Sequence, residues 1–206
     1  MSKTLFIAFE GIDGSGKSTQ SKLLYEKMLN NNHKVFLTAE PTDRVIGKLI
    51  RDIFKGNINA SQETIAALFA ADRLDHLMNE ENGMLKMKQN GNHVITDRYY
   101  FSSYAYHGTH VNMDWVIQCN TLAANMLKPD LTIFIDVEPD VCMERISQSR
   151  VNTELYETLD NLKNVRNKYF EAFEKLKLSE NIFITNGNLS ESQVAENVWN
   201  ELSKLI

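Results

Sequence analysis

Residues 5–19, LFIAFEGIDGSGKST, constrain this chain more than any other stretch. The apolar run Leu5 to Phe9 has the length and composition of a buried β-strand. It leads into Gly11, Ile12, Asp13, Gly14, Ser15, Gly16, Lys17 and Ser18, with Thr19 next, which satisfies G-x-x-x-x-G-K-[ST] at the start of a helical stretch. Glycines let successive backbone N–H groups curl around phosphate oxygens, and a helix beginning near Lys17 turns the positive end of its dipole toward them. In such a loop, residues 11–19 hold a nucleoside triphosphate, Lys17 bridges the β and γ phosphates, and the Ser18 hydroxyl ligates Mg²⁺. The bland alternative is a strand-to-helix turn that binds nothing. Strand, loop, lysine, hydroxyl and helix falling in register argue against it.

The remaining chain repeats that alternation of strand and helix. Val35 to Thr38, Val94 to Thr96, Leu131 to Ile135 and Ile182 to Ile184 read as four more strands. Helical periods between them imply a five-stranded parallel sheet, and continuous apolar runs imply that both of its faces are covered. The expected fold is therefore α/β, a three-layer sandwich of the P-loop NTPase type. At 206 residues the chain holds one domain, 1–206, with a short lid near 145–157. Ser190 and Gln193 have capping-box spacing ahead of a last helix carrying Val194, Val198, Leu202 and Leu205. Pro139 suits a first helical turn. Leu162, Val165, Tyr169, Phe173 and Leu176 form a stripe best read as core packing. Ser147 to Thr153 is polar and aperiodic, and reads as a mobile loop between two helices.

Charge narrows the function classes. Acidic residues outnumber basic ones, 27 to 22, so no general polyanion-binding face is expected, and with it no nucleic-acid partner. Cys119 and Cys142 lie in helical stretches without metal-site spacing and read as buried thiols of a reducing compartment. The first apolar run is too short for a signal core or a membrane span, which points to the cytoplasm and no membrane partner. A guanine-specific switch would carry N-K-x-D after a later strand, and neither Asn167-Lys168-Tyr169-Phe170 nor Lys128-Pro129-Asp130 supplies it.

Asp97-Arg98-Tyr99-Tyr100-Phe101-Ser102-Ser103-Tyr104-Ala105-Tyr106, after the third strand, resembles the DRY-x-x-S-x-x-A-Y segment of thymidylate kinases. Glu40-Pro41, Leu68 to Arg73, and Lys128 to Leu131 leading to Asp136-Val137 resemble that family in order and spacing, so the likeness spans the chain. It implies transfer of the γ-phosphoryl group of ATP to dTMP, giving dTDP for dTTP synthesis, with Mg²⁺ as cofactor, in a homodimer. It also implies roles for residues. Asp97 would hold a Mg²⁺ water, or cap the following helix, or both. Arg98 would touch the acceptor phosphate and the transferred group. Phe69 would stack on thymine and Arg73 would donate to its O4. Ser103 and Tyr106 would meet the base edge and the sugar 2′ position, Asp13 would face the 3′-hydroxyl, and Arg51 would bind the dTMP phosphate. Glu40 and Pro41 belong to the same acceptor site, and His107 receives no role.

The acceptor phosphate is largely dianionic near neutral pH, since its second pKa is about 6, so no strong general base is needed. Positioning and charge neutralisation by Lys17, Arg98, Mg²⁺ and lid arginines should then dominate in-line transfer. This P-loop has no arginine, which leaves Arg150 as the expected catalytic finger and Arg145 as an adenine or phosphate contact. The competing readings are another nucleoside or nucleoside monophosphate kinase, and a regulatory nucleotide-binding module. Phe69, Arg73 and Tyr106 favour thymine deoxynucleotide over the former; Lys17, Ser18, Asp97 and Arg98 argue against the latter.

Overall fold

A computed structural model describes residues 4–149, 156 and 158–206. In chain order the elements are β1 (Phe6–Glu10), α1 (Lys17–Asn30), β2 (Val35–Ala39), α2 (Val45–Phe54), α3 (Gln62–Met78), α4 (Met84–Gln89) and β3 (His93–Asp97). They continue as α5 (Tyr100–His107), α6 (Met113–Met126), β4 (Leu131–Asp136), α7 (Pro139–Ser149), α8 (Leu159–Leu176), β5 (Ile182–Asn186) and α9 (Glu191–Leu202). All strand pairings are parallel, in the order β2-β3-β1-β4-β5. The expected α/β architecture is thus the observed one.

Both faces of β1 are fully buried, and β3 and β4 are buried except at their final aspartates. The edge strands β2 and β5 are mostly half-exposed, because each has a neighbour on one side only. Each of β1, β3 and β4 runs past its apolar segment onto a carboxylate: Glu10, Asp97 and Asp136. The backbone ladder does not stop where hydrophobicity does, and these C-terminal strand ends are where open parallel sheets collect ligands.

The capping box forms, with the Ser190 side chain accepting from the Gln193 N–H. Leu205 is corrected: α9 ends at Leu202 and Leu205 lies beyond it, exposed. The expected loop at Ser147 is corrected too, because α7 continues through Ser149, while residues 150–155 and 157 lie outside the described residues. Cys142 is buried as expected, but Cys119 is only half-buried. Among the described residues no helix is long and apolar enough to cross a membrane.

Candidate active site

The loop after β1 takes the shape that its glycines allow. Gly11, Gly14 and Gly16 all have positive φ. Gly14 needs its hydrogen for a second reason, since a Cβ there would sit 2.7 Å from the carbonyl oxygen of Cys142 in α7. Gly16, at φ 96°, opens α1 without a side-chain cap, so the first-turn N–H groups of that helix are not covered by one. Lys17 is buried and folds back to donate to the Ile12 carbonyl at 2.9 Å. Burial, then the nearby Arg98 charge, pulls its pKa down to about 8, against the opposing pull of Asp13, Asp97 and Glu10.

Strand order carries the third strand's residues to this loop. Asp97 is registered beside Phe9, and the Arg98 N–H donates to the Phe9 carbonyl at 2.9 Å. The Ser18 hydroxyl donates to Asp97 Oδ2, while Asp97 Oδ1 is buried without a hydrogen-bond partner. A hydroxyl and a carboxylate with an unsatisfied oxygen are the donor set of a Mg²⁺ held partly by nucleotide phosphates and water, and these residues fit that ion. Among the described residues no cluster of three or more His, Cys, Asp or Glu forms an all-protein metal cage. Asp97 does not cap α5, whose N-cap is Tyr99 with no side-chain cap bond.

Arg98 has φ 72°, in the left-handed region that non-glycine residues rarely occupy. Its guanidinium donates to Asp13 Oδ1 at 2.5 Å and to Ser102 Oγ at 3.0 Å, and lies 4.9 Å from the Tyr106 ring centre. Burial works against its charge, but Tyr106, Asp13, Tyr169 and Asp97 outweigh that and hold its pKa well above the ordinary value. The Tyr106 hydroxyl donates to Asp13 Oδ2 at 2.8 Å and accepts from the Asp13 N–H at 2.9 Å.

Two cavities meet at this cluster. One, of about 270 Å³, is lined by Asp13, Pro41, Arg51, Phe69, Arg98, Ser103 and Tyr106, all expected at the acceptor site. The other, of about 710 Å³, is lined by residues 13–20 of the P-loop and α1, by Asp97, Arg98 and Arg145, and by Gly187, Leu189 and the start of α9 at Glu191 and Val194. Asp13 and Arg98 belong to both. Arg145 donates to the carbonyls of Gly14 at 3.4 Å and Gly187 at 3.1 Å, bridging the P-loop and the turn after β5. Arg150, the expected finger, lies outside the described residues.

Glu40 and Arg73 are brought together behind the smaller cavity and do not line it. Arg73 donates through Nε and Nη2 to Glu40 Oε2, at 2.8 and 2.6 Å, and through Nη1 to Ser103 Oγ at 3.1 Å and to Asn120 Oδ1. Arg51 donates to the carbonyls of Pro41 at 2.9 Å and Thr42 at 2.6 Å, and to Asp43 Oδ1 at 3.0 Å, fixing one wall of the cavity.

His107, Phe54 and Tyr156 also line the smaller cavity, and sequence reasoning gave none of them a site role. For His107 the signal was present: it lies four residues after Ser103 on the same helix, hence on the same face. Its ring packs against Phe69 with centroids 4.9 Å apart, and Nδ1 is buried without a partner. Tyr156 packs edge-on to Phe54 and donates to Gln62 Oε1 at 2.7 Å.

His107 makes acid stability testable. Burial, then Arg73 and His110, pushes its pKa down to about 3 from the ordinary 6.5. Between those values the unfolded chain binds a proton that the folded chain refuses. Stability is therefore complete above pH 6.5 and falls as pH drops below it. His107→Gln should remove that slope. Urea unfolding at pH 7 and pH 5 should show wild type losing about 2 kcal/mol more than the variant over that interval. Equal losses would show that His107 is not held neutral.

A family model described as thymidylate kinase matches residues 9–198. The chain belongs to the thymidylate kinase family. A probable thymidylate kinase of Methanocaldococcus jannaschii is 39% identical over 178 residues, covering 85% of each chain. One of Sulfolobus acidocaldarius is 37% identical over 198 residues, covering 94% of this chain and 93% of its own. One of Thermococcus onnurineus is 39% identical over 180 residues, covering 83% and 85%. As a thymidylate kinase the chain is an ATP-dependent phosphotransferase that converts dTMP to dTDP.

Proposed function

We propose that the larger cavity takes ATP, the smaller takes dTMP, and Arg98 and Asp13 stand at the line of transfer. The observation that supports this assignment is that these two side chains, hydrogen-bonded to each other, line both cavities. Lys17 and the N–H groups of residues 11–19 hold the β and γ phosphates. Ser18 and Asp97 hold Mg²⁺, which when bound neutralises charge on the phosphate oxygens. Arg98 binds the acceptor phosphate and the group in flight. Asp13, oriented by Tyr106, faces the 3′-hydroxyl of the acceptor sugar. Phe69 stacks on the thymine, with Ser103 at its edge and Arg73 and Glu40 fixing Ser103 from behind. Pro41 and Arg51 form the wall at the dTMP phosphate. The acceptor dianion attacks in line and the ADP oxygen leaves, so no residue need act as a strong base.

Arg145 is assigned to ATP and Arg150 to the transition state. We further assign the protein to the cytoplasm and to a homodimer. Leu122 on α6 is 56% exposed, apolar surface that a partner copy would cover.

A coupled ADP-release assay with ATP tests the reading, offering dTMP, dUMP, UMP, CMP, AMP and thymidine separately, with and without Mg²⁺. dTMP should be the preferred acceptor, and withholding Mg²⁺ should abolish turnover. Arg150→Ala should lower kcat at least tenfold, about 1.4 kcal/mol of barrier, while Arg145→Ala should act mainly through the KM for ATP. If neither substitution lowers turnover tenfold, the lid-arginine assignment is wrong. Preference for thymidine would transfer the chain to nucleoside kinase chemistry.

A further inference from the structure

We propose that Glu10, at the C-terminal end of β1, is the positioning residue that sets Arg98, acting through the Ser102 hydroxyl and through the backbone that follows Arg98. The proposal rests on the reading of Arg98 as the arginine that spans both phosphates.

Glu10 is completely buried, and its carboxylate is the meeting point of four donors. Oε1 accepts from the backbone N–H groups of Tyr99 at 2.9 Å and Ser102 at 3.2 Å. Oε2 accepts from the hydroxyls of Ser102 at 2.6 Å and Tyr169 at 2.9 Å. A carboxylate offers about four lone-pair sites, so this one is saturated. Tyr99 and Ser102 are the N-cap and third residue of α5, so a strand residue caps that helix in place of a local side chain.

That clamp bears on Arg98 from two directions. The Arg98 backbone is left-handed, a conformation that persists only where its surroundings impose it. The Phe9 carbonyl takes the Arg98 N–H, the Thr96 hydroxyl donates to the Arg98 carbonyl at 2.9 Å, and Glu10 takes the next N–H, that of Tyr99. At the other end, Arg98 Nη1 donates to Ser102 Oγ at 3.0 Å, and the same hydroxyl donates its hydrogen bond to Glu10 Oε2 at 2.6 Å. Backbone and guanidinium are therefore both referred to one carboxylate on the strand that carries the P-loop.

The charge is not retained for the fold's sake. Burial raises the Glu10 pKa, while Ser102, the Arg98 charge, Tyr169 and the Tyr99 N–H pull against it. An amide of the same size would escape the desolvation cost and still cap α5. What the amide lacks is the negative charge and the second acceptor, Oε2, that takes the Ser102 and Tyr169 hydroxyls one hydrogen bond away from the guanidinium.

The test is a double-mutant cycle of Glu10→Gln with Arg98→Ala, with kcat, both KM values and thermal unfolding read for each protein. Glu10→Gln should lower kcat at least tenfold, leave the KM for ATP within twofold, and leave the unfolding midpoint unshifted or raised. In the Arg98→Ala background the same change should alter kcat less than twofold. Ser102→Ala, which deletes the bridging hydroxyl but leaves the Glu10 contacts to the backbone, should show the same loss and the same coupling if Glu10→Gln folds poorly. Equal kcat losses in both backgrounds, a kcat loss that tracks a lowered midpoint, or an unchanged kcat would each overturn the proposal. If Arg98→Ala itself keeps wild-type turnover, the reading of Arg98 fails and the role of Glu10 fails with it.

Discussion

Lys17→Met is expected to lower kcat by about 10³-fold or more while leaving the protein folded. The magnitude follows from comparable cases: removing one donor aimed at developing charge costs roughly 10²–10³, and removing a transition-state arginine of phosphoryl transfer roughly 10³–10⁵. The separation from stability follows from what Lys17 does in the fold. Its ammonium is buried and donates to the Ile12 carbonyl, and burial has already pulled its pKa down to about 8. The folded chain thus gains little from the charge, and methionine fills the same channel without it. Thermal unfolding should show a midpoint unchanged or raised, and single-turnover phosphoryl transfer should show the loss. A variant within tenfold of wild type, or one whose midpoint falls in step with its activity, would contradict the assignment of Lys17 to the phosphates.

Arg73→Met should be the most destabilising of the single changes considered, by about 3–5 kcal/mol, because it strands a buried carboxylate. Arg73 is 1% exposed and its partner side chain, Glu40, 2%. Glu40 Oε2 would lose both of its guanidinium contacts, leaving the carboxylate with the His76 contact at 3.1 Å through Oε1. For a domain of this size that loss lowers the unfolding midpoint by about 10 °C. Burial opposes the Arg73 charge, and Glu40, Tyr99 and Tyr104 together outweigh it and raise its pKa. Glu40→Gln added to Arg73→Met removes the stranded charge and should restore most of the midpoint. The KM for dTMP should stay elevated in the double variant, since Ser103, on the cavity wall, has still lost its Arg73 contact. Recovery of the midpoint together with the KM would confine Arg73 to a structural role, and no recovery of the midpoint would show that the ion pair is not what Arg73 supplies.

These two arginine and lysine sites show how far residue patterns reach. Lys17 was legible because its partners are its own neighbours: the loop, the lysine and the helix lie within residues 11–19, and N–H groups at a helix start follow from local geometry. Arg73 is read from the sequence only as the residue that the resemblance puts at thymine O4. Its partner, Glu40, lies 33 residues away on the loop after β2, and only the packing of α3 against that loop brings the two together. Phe69, Ser103 and Tyr106 fall together on one cavity, and His107 and Tyr156, which carry no role in the sequence reading, line it too.

The sequence by itself determined the five strands, their parallel alternation with helices, the P-loop and the aspartate–arginine pair after β3. Periods of two and 3.6, caps and glycine turns arise from residues at most a few positions apart. Tertiary structure alone decided that Gly14 must admit the backbone of α7, that Glu10 gathers donors from Tyr99, Ser102 and the Tyr169 hydroxyl 159 residues away, and that two cavities share Asp13 and Arg98. Those arrangements depend on which strand lies beside which, and strand order is settled by the packing of whole layers, which no local pattern encodes.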